Sequence, residues 1–243
     1  MPVAPMQKIL ADAFQKRYGV GAFNVVNDLT MDAVLSAAEE TRSPVIVQVS
    51  VKTVKQMGAR LIRLMFVAYE DNLAQTKEVV ALAHRGGVAV EGELEAIKGV
   101  EDGVGDEYGS PAVALDLAVA FLRETGIDSF APAIGTAHGL YKGVPKIHFD
   151  RVSEIVAAEP RPLVVHGGTG LSDAVFRDLI ARGAVKINIS TQLKITFADS
   201  FRNYLAERPT EYDPLKLLGA VRKNVQAMAA GFMRIFGSAG RAA

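Results

Sequence analysis

The feature that most constrains the fold is the alternation of short apolar segments with helical stretches along the chain. Six segments have the composition of strands, and several are almost continuously apolar, as in strands that are covered on both faces. These segments are residues 21–26, 44–50, 88–94, 129–135, 162–166 and 185–189. Because alternating strands and helices are typical of a parallel sheet, the chain fits one large α/β domain or two small ones, and one TIM-type (β/α) barrel can use all of residues 1–243.

Helical patterns fill the intervals between these strands, and one interval differs from the others. The helical stretches are residues 32–41, 52–66, 71–84, 114–124, 150–158 and 172–181, with further helix from Thr191 onward, a break at 209–214 and a loose tail from Phe236. Two of them, 52–66 and 71–84, follow each other with no strand between them. An eight-stranded barrel needs eight strand–helix units, and only six strands are counted here.

The composition narrows the class of protein and its surroundings. Lys+Arg and Asp+Glu both number 27, so no excess of positive charge predicts binding to nucleic acid or to an anionic membrane. No cysteine is present, which excludes disulfides and fits a reducing compartment. The first residues carry no apolar signal core, and no apolar run approaches the length of a bilayer. We expect a cytoplasmic protein.

Two glycine-rich segments each follow a predicted strand and each contain one histidine. They are AIGTAHGLYKG, with His138, and VVHGGTGLS, with His166. The C-terminal ends of barrel strands form one face, so the two imidazoles can converge on one metal ion. The glycines allow backbone N–H groups to approach an anion closely. Alternatively, each histidine is an ordinary hydrogen-bonded structural residue.

Two further segments carry polar side chains at strand ends. In KINISTQLK, Asn188, Ser190 and Thr191 could bind a phosphate or could simply cap the helix that follows. In VEGELEAIKGVEDGVGDE, residues Glu91, Glu93 and Glu95 alternate, so they are predicted to face one side. There they could bind a metal or transfer protons, or they could lie on a solvated edge; the acidic, glycine-rich stretch after them is predicted to be a mobile loop.

Taken together, these segments resemble the class II fructose-bisphosphate and tagatose-bisphosphate aldolase family. The resemblance runs in order through GAFNVVN, PVIVQVS, YEDNLAQTKEVVALAHRGGVAVEGELE, VEDGV, ETGIDSFAPAIGTAHGLYKG, VVHGGTGLS, KINISTQLK and FGSAGRA, and so covers nearly the whole chain. It implies a zinc-dependent lyase of carbohydrate metabolism and glycolysis, which reversibly cleaves a ketose 1,6-bisphosphate to dihydroxyacetone phosphate and an aldehyde. Fructose and tagatose bisphosphate both stay open as substrates, and a homo-oligomer is implied.

The resemblance also implies roles for particular residues. His138 and His166 are implied as zinc ligands, with Glu93 as a carboxylate near the metal. Asn188 resembles the asparagine that contacts the enediolate, Glu101 resembles a loop acid that handles a proton, and Lys142 lies in a loop used with a monovalent cation or phosphate. The residues implied to contact the substrate or its phosphate are Asn24, Ser50, Gly139, Gly167, Gly168, Thr169, Ser190 and Thr191.

One part of the family pattern is missing. The family has a strand ending in His-x-Asp-His, whose aspartate is the acid–base and whose last histidine is the third zinc ligand. Here LIRLMFVA runs directly into YEDNLAQT, and the motif does not occur. The resemblance therefore implies that the (β/α) barrel lacks two strands and one helix in this sequence. Either the polypeptide is truly shortened or a stretch is missing from the sequence. Two hypotheses follow: a metal-dependent aldolase, or a non-catalytic subunit that binds sugar phosphate or assists an aldolase. A different phosphate-binding barrel enzyme, such as an isomerase, is a weaker third.

Overall fold

A computed structural model describes residues 4–50, 72–95, 97, 99–101, 104–106, 112–141 and 143–242 of the chain. The predicted helix at 52–66 lies outside these residues, whereas every other predicted helix is confirmed to within a few residues. The described elements, in chain order, are α1 (Met6–Lys16), β1 (Val20–Asn24), α2 (Asp28–Thr41), β2 (Val45–Gln48), α3 (Asn72–Arg85), β3 (Glu91–Gly92), β4 (Gly99–Glu101), β5 (Val104–Asp106), α4 (Leu115–Thr125), β6 (Ser129–Phe130), α5 (Phe149–Ala158), β7 (Leu163–Val165), α6 (Asp173–Arg182), β8 (Ala184–Ile189), α7 (Thr191–Glu207) and α8 (Pro214–Ile235).

All six predicted strands are present in one parallel sheet, in the order β2-β1-β8-β7-β6-β3. Apart from β2 and β3, the strands of this sheet that follow each other in the chain are neighbours, and β8 lies beside β1, as in a TIM-type barrel. Gly21 of β1 is paired with Val45 on one side and with Ile187 on the other. Within the described residues β2 and β3 are the two outer strands, and the chain between them is the interval in which the sequence lacks strands. Because the strands are parallel, their C-terminal ends all lie at one edge.

The core lies where helices cover this sheet. Phe23, Phe130, Phe176 and Phe236 are all fully buried. The rings of Phe176 and Phe236 are 5.1 Å apart, which joins α6 to the end of α8. Burial of large aromatic side chains contributes much of the hydrophobic stabilisation of such a domain. None of the described helices has both the length and the apolar character needed to cross a membrane.

One local prediction is wrong. The tail after Phe236 is not loose, because the N–H groups of Gly240 and Ala242 donate to the carbonyl oxygens of Thr41 and Arg42 at 2.7 and 2.8 Å. These bonds satisfy carbonyls at the end of α2 that have no partner within the helix. The acidic stretch predicted as a mobile loop includes the end of β4 and all of β5, which form an antiparallel pair, and its mobility stays a prediction. Its alternation of valine with polar residues is compatible with a short hairpin.

Candidate active site

The two histidines of the glycine-rich segments come together at the C-terminal edge of the sheet. His166 follows β7 directly, and His138 lies in the loop that follows β6. Their ring centroids are 5.7 Å apart, with the ring planes inclined at 66°. The structure therefore confirms that the two imidazoles lie close together at the strand ends, as the sequence predicts.

A backbone contact and one tyrosine hydroxyl fix the two histidine loops against each other. Gly167 has a φ of +67°, and a Cβ at this position would lie only 2.2 Å from the carbonyl oxygen of Ala137. The Tyr141 hydroxyl accepts from the N–H of Ala137 at 3.1 Å and donates to the Gly167 carbonyl at 2.6 Å. Only glycine permits this conformation and this close approach together, so the glycine next to His166 sets the separation of the loops.

Two glutamates hold the His166 ring from both sides. Nε2 of His166 lies 2.9 Å from Oε1 of Glu91, and Nδ1 lies 2.9 Å from Oε1 of Glu93. Burial of His166 by itself lowers its pKa, but the hydrogen bonds and charges of the two carboxylates raise it to about 9. For Glu91 the effects are reversed: burial by itself raises its pKa, but the neighbouring Lys186 and His166 lower it to about 2. In this arrangement the two carboxylates favour the protonated form of the His166 imidazole.

This arrangement does not by itself form a zinc site. Zinc binds a neutral imidazole, and a catalytic site normally has three protein ligands. Both ring nitrogens of His166 are engaged by carboxylates, and Glu93 contacts the histidine as a hydrogen-bond partner. Across the described parts of the chain, no group of three or more His, Cys, Asp or Glu side chains could hold a metal ion. The assignment of His138, His166 and Glu93 as metal ligands stays a prediction.

Beside the histidines lies a pocket lined by backbone and hydroxyl groups. Ser190 is only 8% exposed, and its buried Oγ has no hydrogen-bond partner among the described residues. It precedes α7 directly, so the pocket lies at the N-terminus of a helix of 17 residues. Thr169 contacts the first turn of this helix, where its Oγ1 accepts a hydrogen bond from the N–H of Gln192 at 3.2 Å. The residues that line the pocket are His138, Gly139, Gly167, Gly168, Thr169, Asn188, Ser190 and Thr191.

This lining contains seven of the residues predicted to contact the substrate or its phosphate. A helix N-terminus and backbone N–H groups attract anions, and an unpaired buried hydroxyl is satisfied when a ligand oxygen enters. The alternative in which Ser190 caps α7 with its side chain is not what the structure has, because no such cap bond forms.

The remaining predicted residues have different outcomes. Asn24 ends β1, Ser50 follows β2, and the side chains of Asn24 and Gln48 are hydrogen-bonded. Glu101 ends β4, but its side chain lies outside the described part of the structure, as does Lys142. The roles of these residues stay predictions.

Glu95 does not share a face with Glu91 and Glu93, so that prediction is wrong. It is 2% exposed, pairs with Arg151, and accepts from the N–H groups of Val113 and Ala133 at 3.3 Å each. The strand ends at Gly92, so the alternation of side chains does not extend to Glu95. Its carboxylate instead stabilises the base of the loop that carries His138.

Sequence reasoning missed Lys186 and Gln48. Lys186 is 4% exposed, and its ammonium lies 2.9 Å from Oε2 of Glu91 and 2.7 Å from Oδ1 of Asn188. It also donates to Oε1 of Gln48 at 3.3 Å. The sequence does contain a signal, because Lys186 is the one charged residue of the strand segment VKINI. It lies two residues before Asn188 and thus on the same face.

Comparison with known proteins identifies the family. The family model "Fructose-bisphosphate aldolase class-II" matches residues 4–69 and 66–241. The "Probable fructose-bisphosphate aldolase" of Bacillus subtilis is 36% identical over 289 positions, covering 100% of both chains. The "Sulfofructosephosphate aldolase" of Alkalicoccus urumqiensis is 31% identical, covering 96% of each. The crystal structure of the YdjI aldolase from Escherichia coli K12 has a TM-score of 0.78 and 29% identity, covering 99% of each chain.

The same comparison locates the missing part of the chain. The alignment with the Bacillus subtilis protein has 289 positions, and this chain has 243 residues, which leaves at least 46 positions (289 less 243) without a residue here. The two matches to the family model meet at residues 66–69, where LIRLMFVA runs into YEDNLAQT. This confirms the predicted place of the gap. With a TIM-type parallel sheet and a family match along nearly its whole length, the chain belongs to the class II fructose-bisphosphate aldolase family.

Proposed function

We propose that this chain acts on a ketose 1,6-bisphosphate by reversible aldol cleavage to dihydroxyacetone phosphate and an aldehyde. The observation that carries the proposal is the pocket at the start of α7, where the buried Ser190 hydroxyl has no partner among the described residues. Such a pocket suits the phosphate of the three-carbon product, with Gly139, Gly167, Gly168, Thr169, Ser190 and Thr191 around it. Family membership supports the enzyme over a non-catalytic subunit, because the matched proteins bear the names of aldolases.

The protein groups of this site have distinct tasks in the proposal. The helix N-terminus and the Ser190 hydroxyl hold the phosphate, which fixes the carbon chain next to the histidine pair. Asn188 lines the same pocket and offers its amide N–H to the oxygen on which charge develops when the carbon–carbon bond breaks. Asn24 and Ser50 contact the sugar hydroxyls, Glu101 carries a proton, and Lys142 contacts phosphate or a monovalent cation.

Zinc is the cofactor in this proposal, with His138 and His166 as two of its ligands. Glu93 is the carboxylate proposed for a third position, but it hydrogen-bonds His166 as the ring now lies. A complete site requires another ligand in addition to the two imidazoles. The family's His-x-Asp-His strand has no counterpart here, so the 243-residue chain is expected to turn over slowly.

The cytoplasm, a role in glycolysis and a homo-oligomeric state are part of the same proposal. The absence of cysteine supports the cytoplasm, and membership of the family supports all three. Neither fructose nor tagatose bisphosphate is favoured by the described residues, so both belong in the assay.

Binding and turnover are tested on the same preparation. We expect dihydroxyacetone phosphate to raise the melting temperature in a thermal-shift assay, because the ligand binds only the folded pocket. Cleavage of fructose and tagatose 1,6-bisphosphate is followed in parallel by a coupled assay, with zinc-loaded and EDTA-treated protein. Stabilisation with slow, zinc-dependent cleavage supports the proposal. Stabilisation without any cleavage favours the non-catalytic subunit, and no stabilisation at all contradicts both.

A further inference from the structure

We propose that Lys186 is a positioning residue that sets the orientation of the amide side chains facing the substrate. The inference rests on the proposed function and deepens it. Its basis is a hydrogen-bonded network that reaches from β8 to three other strands and has the Lys186 ammonium at its centre. The partners of that ammonium are Glu91, Asn188 and Gln48.

The chemistry of an ammonium group determines which end of each amide faces it. A lysine ammonium has three N–H donors and no acceptor, whereas a carboxamide has an acceptor oxygen at one end and a donor nitrogen at the other. The amides of Asn188 and Gln48 must therefore turn their oxygens toward Lys186, at 2.7 and 3.3 Å. For Asn188, this turns the NH₂ group away from the lysine, on a side chain that lines the phosphate pocket.

The same constraint passes through Gln48 to Asn24. With its oxygen on Lys186, Gln48 presents its Nε2 to Oδ1 of Asn24 and donates a hydrogen bond there. The oxygen of Asn24 is thereby engaged, and its own NH₂ group is left as the outward end of the side chain. The buried Lys186 ammonium thus fixes the orientation of the Asn188 and Asn24 amides, so that each presents its NH₂ group as a hydrogen-bond donor.

Donors of fixed orientation are what a developing oxyanion requires. An amide that is free to rotate presents its oxygen to the substrate in part of the population, which repels a partial negative charge. Preorganised donors avoid this reorganisation. The carboxylate of Glu91 balances the charge of Lys186 and also contacts His166, so the network joins the amide pair to the histidine pair.

Lys186→Met provides the test, because methionine keeps much of the volume and removes every donor. The affinities of dihydroxyacetone phosphate and inorganic phosphate are measured by calorimetry for each variant. Both ligands use the helix N-terminus, but only the first has a carbonyl and a hydroxyl for the asparagines. We expect wild-type protein to prefer dihydroxyacetone phosphate, and Lys186→Met to reduce that preference about tenfold, the loss expected for one or two hydrogen bonds. Its phosphate affinity should not change.

Two further variants keep the outcome interpretable. Lys216→Met removes an exposed lysine at the start of α8 and should leave both affinities unchanged. Gln48→Met breaks only the branch to Asn24, so it should reduce the preference by less than Lys186→Met and serves if the latter does not fold. An unaltered preference in Lys186→Met or, if that variant does not fold, in Gln48→Met overturns the positioning role, as does an equal loss of both affinities. A wild-type protein without any preference contradicts the proposed function instead.

Discussion

Replacing Gly167 with alanine should separate the two histidine loops. At this glycine the added Cβ would lie 2.2 Å from the carbonyl oxygen of Ala137. Real Cβ atoms essentially never lie within 3.0 Å of a non-bonded heavy atom. The Ala137 carbonyl therefore has to move by about 0.8 Å, the difference between these two distances. Because Ala137 directly precedes His138 and Gly167 directly follows His166, that movement changes the distance between the two histidines.

The size of the effect follows from the bonds that the movement breaks. Tyr141 bridges the loops through hydrogen bonds of 3.1 and 2.6 Å, and a shift of this size strains both. Loss of two ordinary hydrogen bonds costs about 1–3 kcal/mol. For a protein of this length each kcal/mol lowers the melting temperature by about 2–4 °C. We therefore expect a decrease of about 5 °C beyond the cost of placing alanine at positive φ.

Gly126→Ala is the matched control for that backbone cost. Gly126, at the end of α4, also has positive φ, +69°, but no atom of the described residues lies within 4 Å of its added Cβ. The melting temperatures of both variants are compared by calorimetry, and their affinities for dihydroxyacetone phosphate by titration. Gly167→Ala should be the less stable and should bind the ligand about tenfold more weakly than the control, which is about 1.4 kcal/mol. Equal stability and equal affinity of the two variants would refute the argument from loop contact.

The remaining predictions concern the pocket, the metal and the support of the site. Ser190→Glu should abolish phosphate binding by charge repulsion, while Thr210→Glu at the surface has no effect on binding; retained affinity in Ser190→Glu contradicts the pocket. His138→Ala and His166→Ala should each lose zinc in equilibrium dialysis, and a variant that keeps full occupancy shows its histidine to be structural. Glu95→Gln breaks a buried ion pair worth about 3–5 kcal/mol and should lower the melting temperature by roughly 6–20 °C; a change of 1 °C or less contradicts this.

The pattern of strands and the convergence of the histidines could be predicted from sequence because both follow from periodicity and parallel topology. Continuous apolar runs identified the strands, and their C-terminal ends brought His138 beside His166. The contacts of Glu95 could not be predicted in this way, since the end of β3 at Gly92 interrupts the alternation. The tail was missed because composition carries no information on whether its N–H groups meet the end of α2.

The network around Lys186 depends on side chains from strands far apart in the chain, so no local pattern contains it. A lysine in a buried strand nevertheless requires a partner, because an unpaired buried charge is costly. The alternating glutamates carried no such requirement in the sequence, and the partner of Lys186 is Glu91. A charged residue within an apolar strand is thus a better indication of a functional network than the three alternating glutamates were.

The most direct measurement compares the rate of fructose and tagatose 1,6-bisphosphate cleavage by two zinc-loaded proteins. One is the 243-residue chain, with its mass verified at 26.0 kDa. The other is the same chain with the segment of the Bacillus subtilis relative inserted at residues 66–69, where the family match is interrupted. Positioned proton transfer contributes about 10²–10⁴-fold in rate, so the insertion should raise kcat/KM by at least about a hundredfold on one of the two substrates. Equal turnover by the two proteins would contradict the proposal that the gap removes the acid–base and the third ligand.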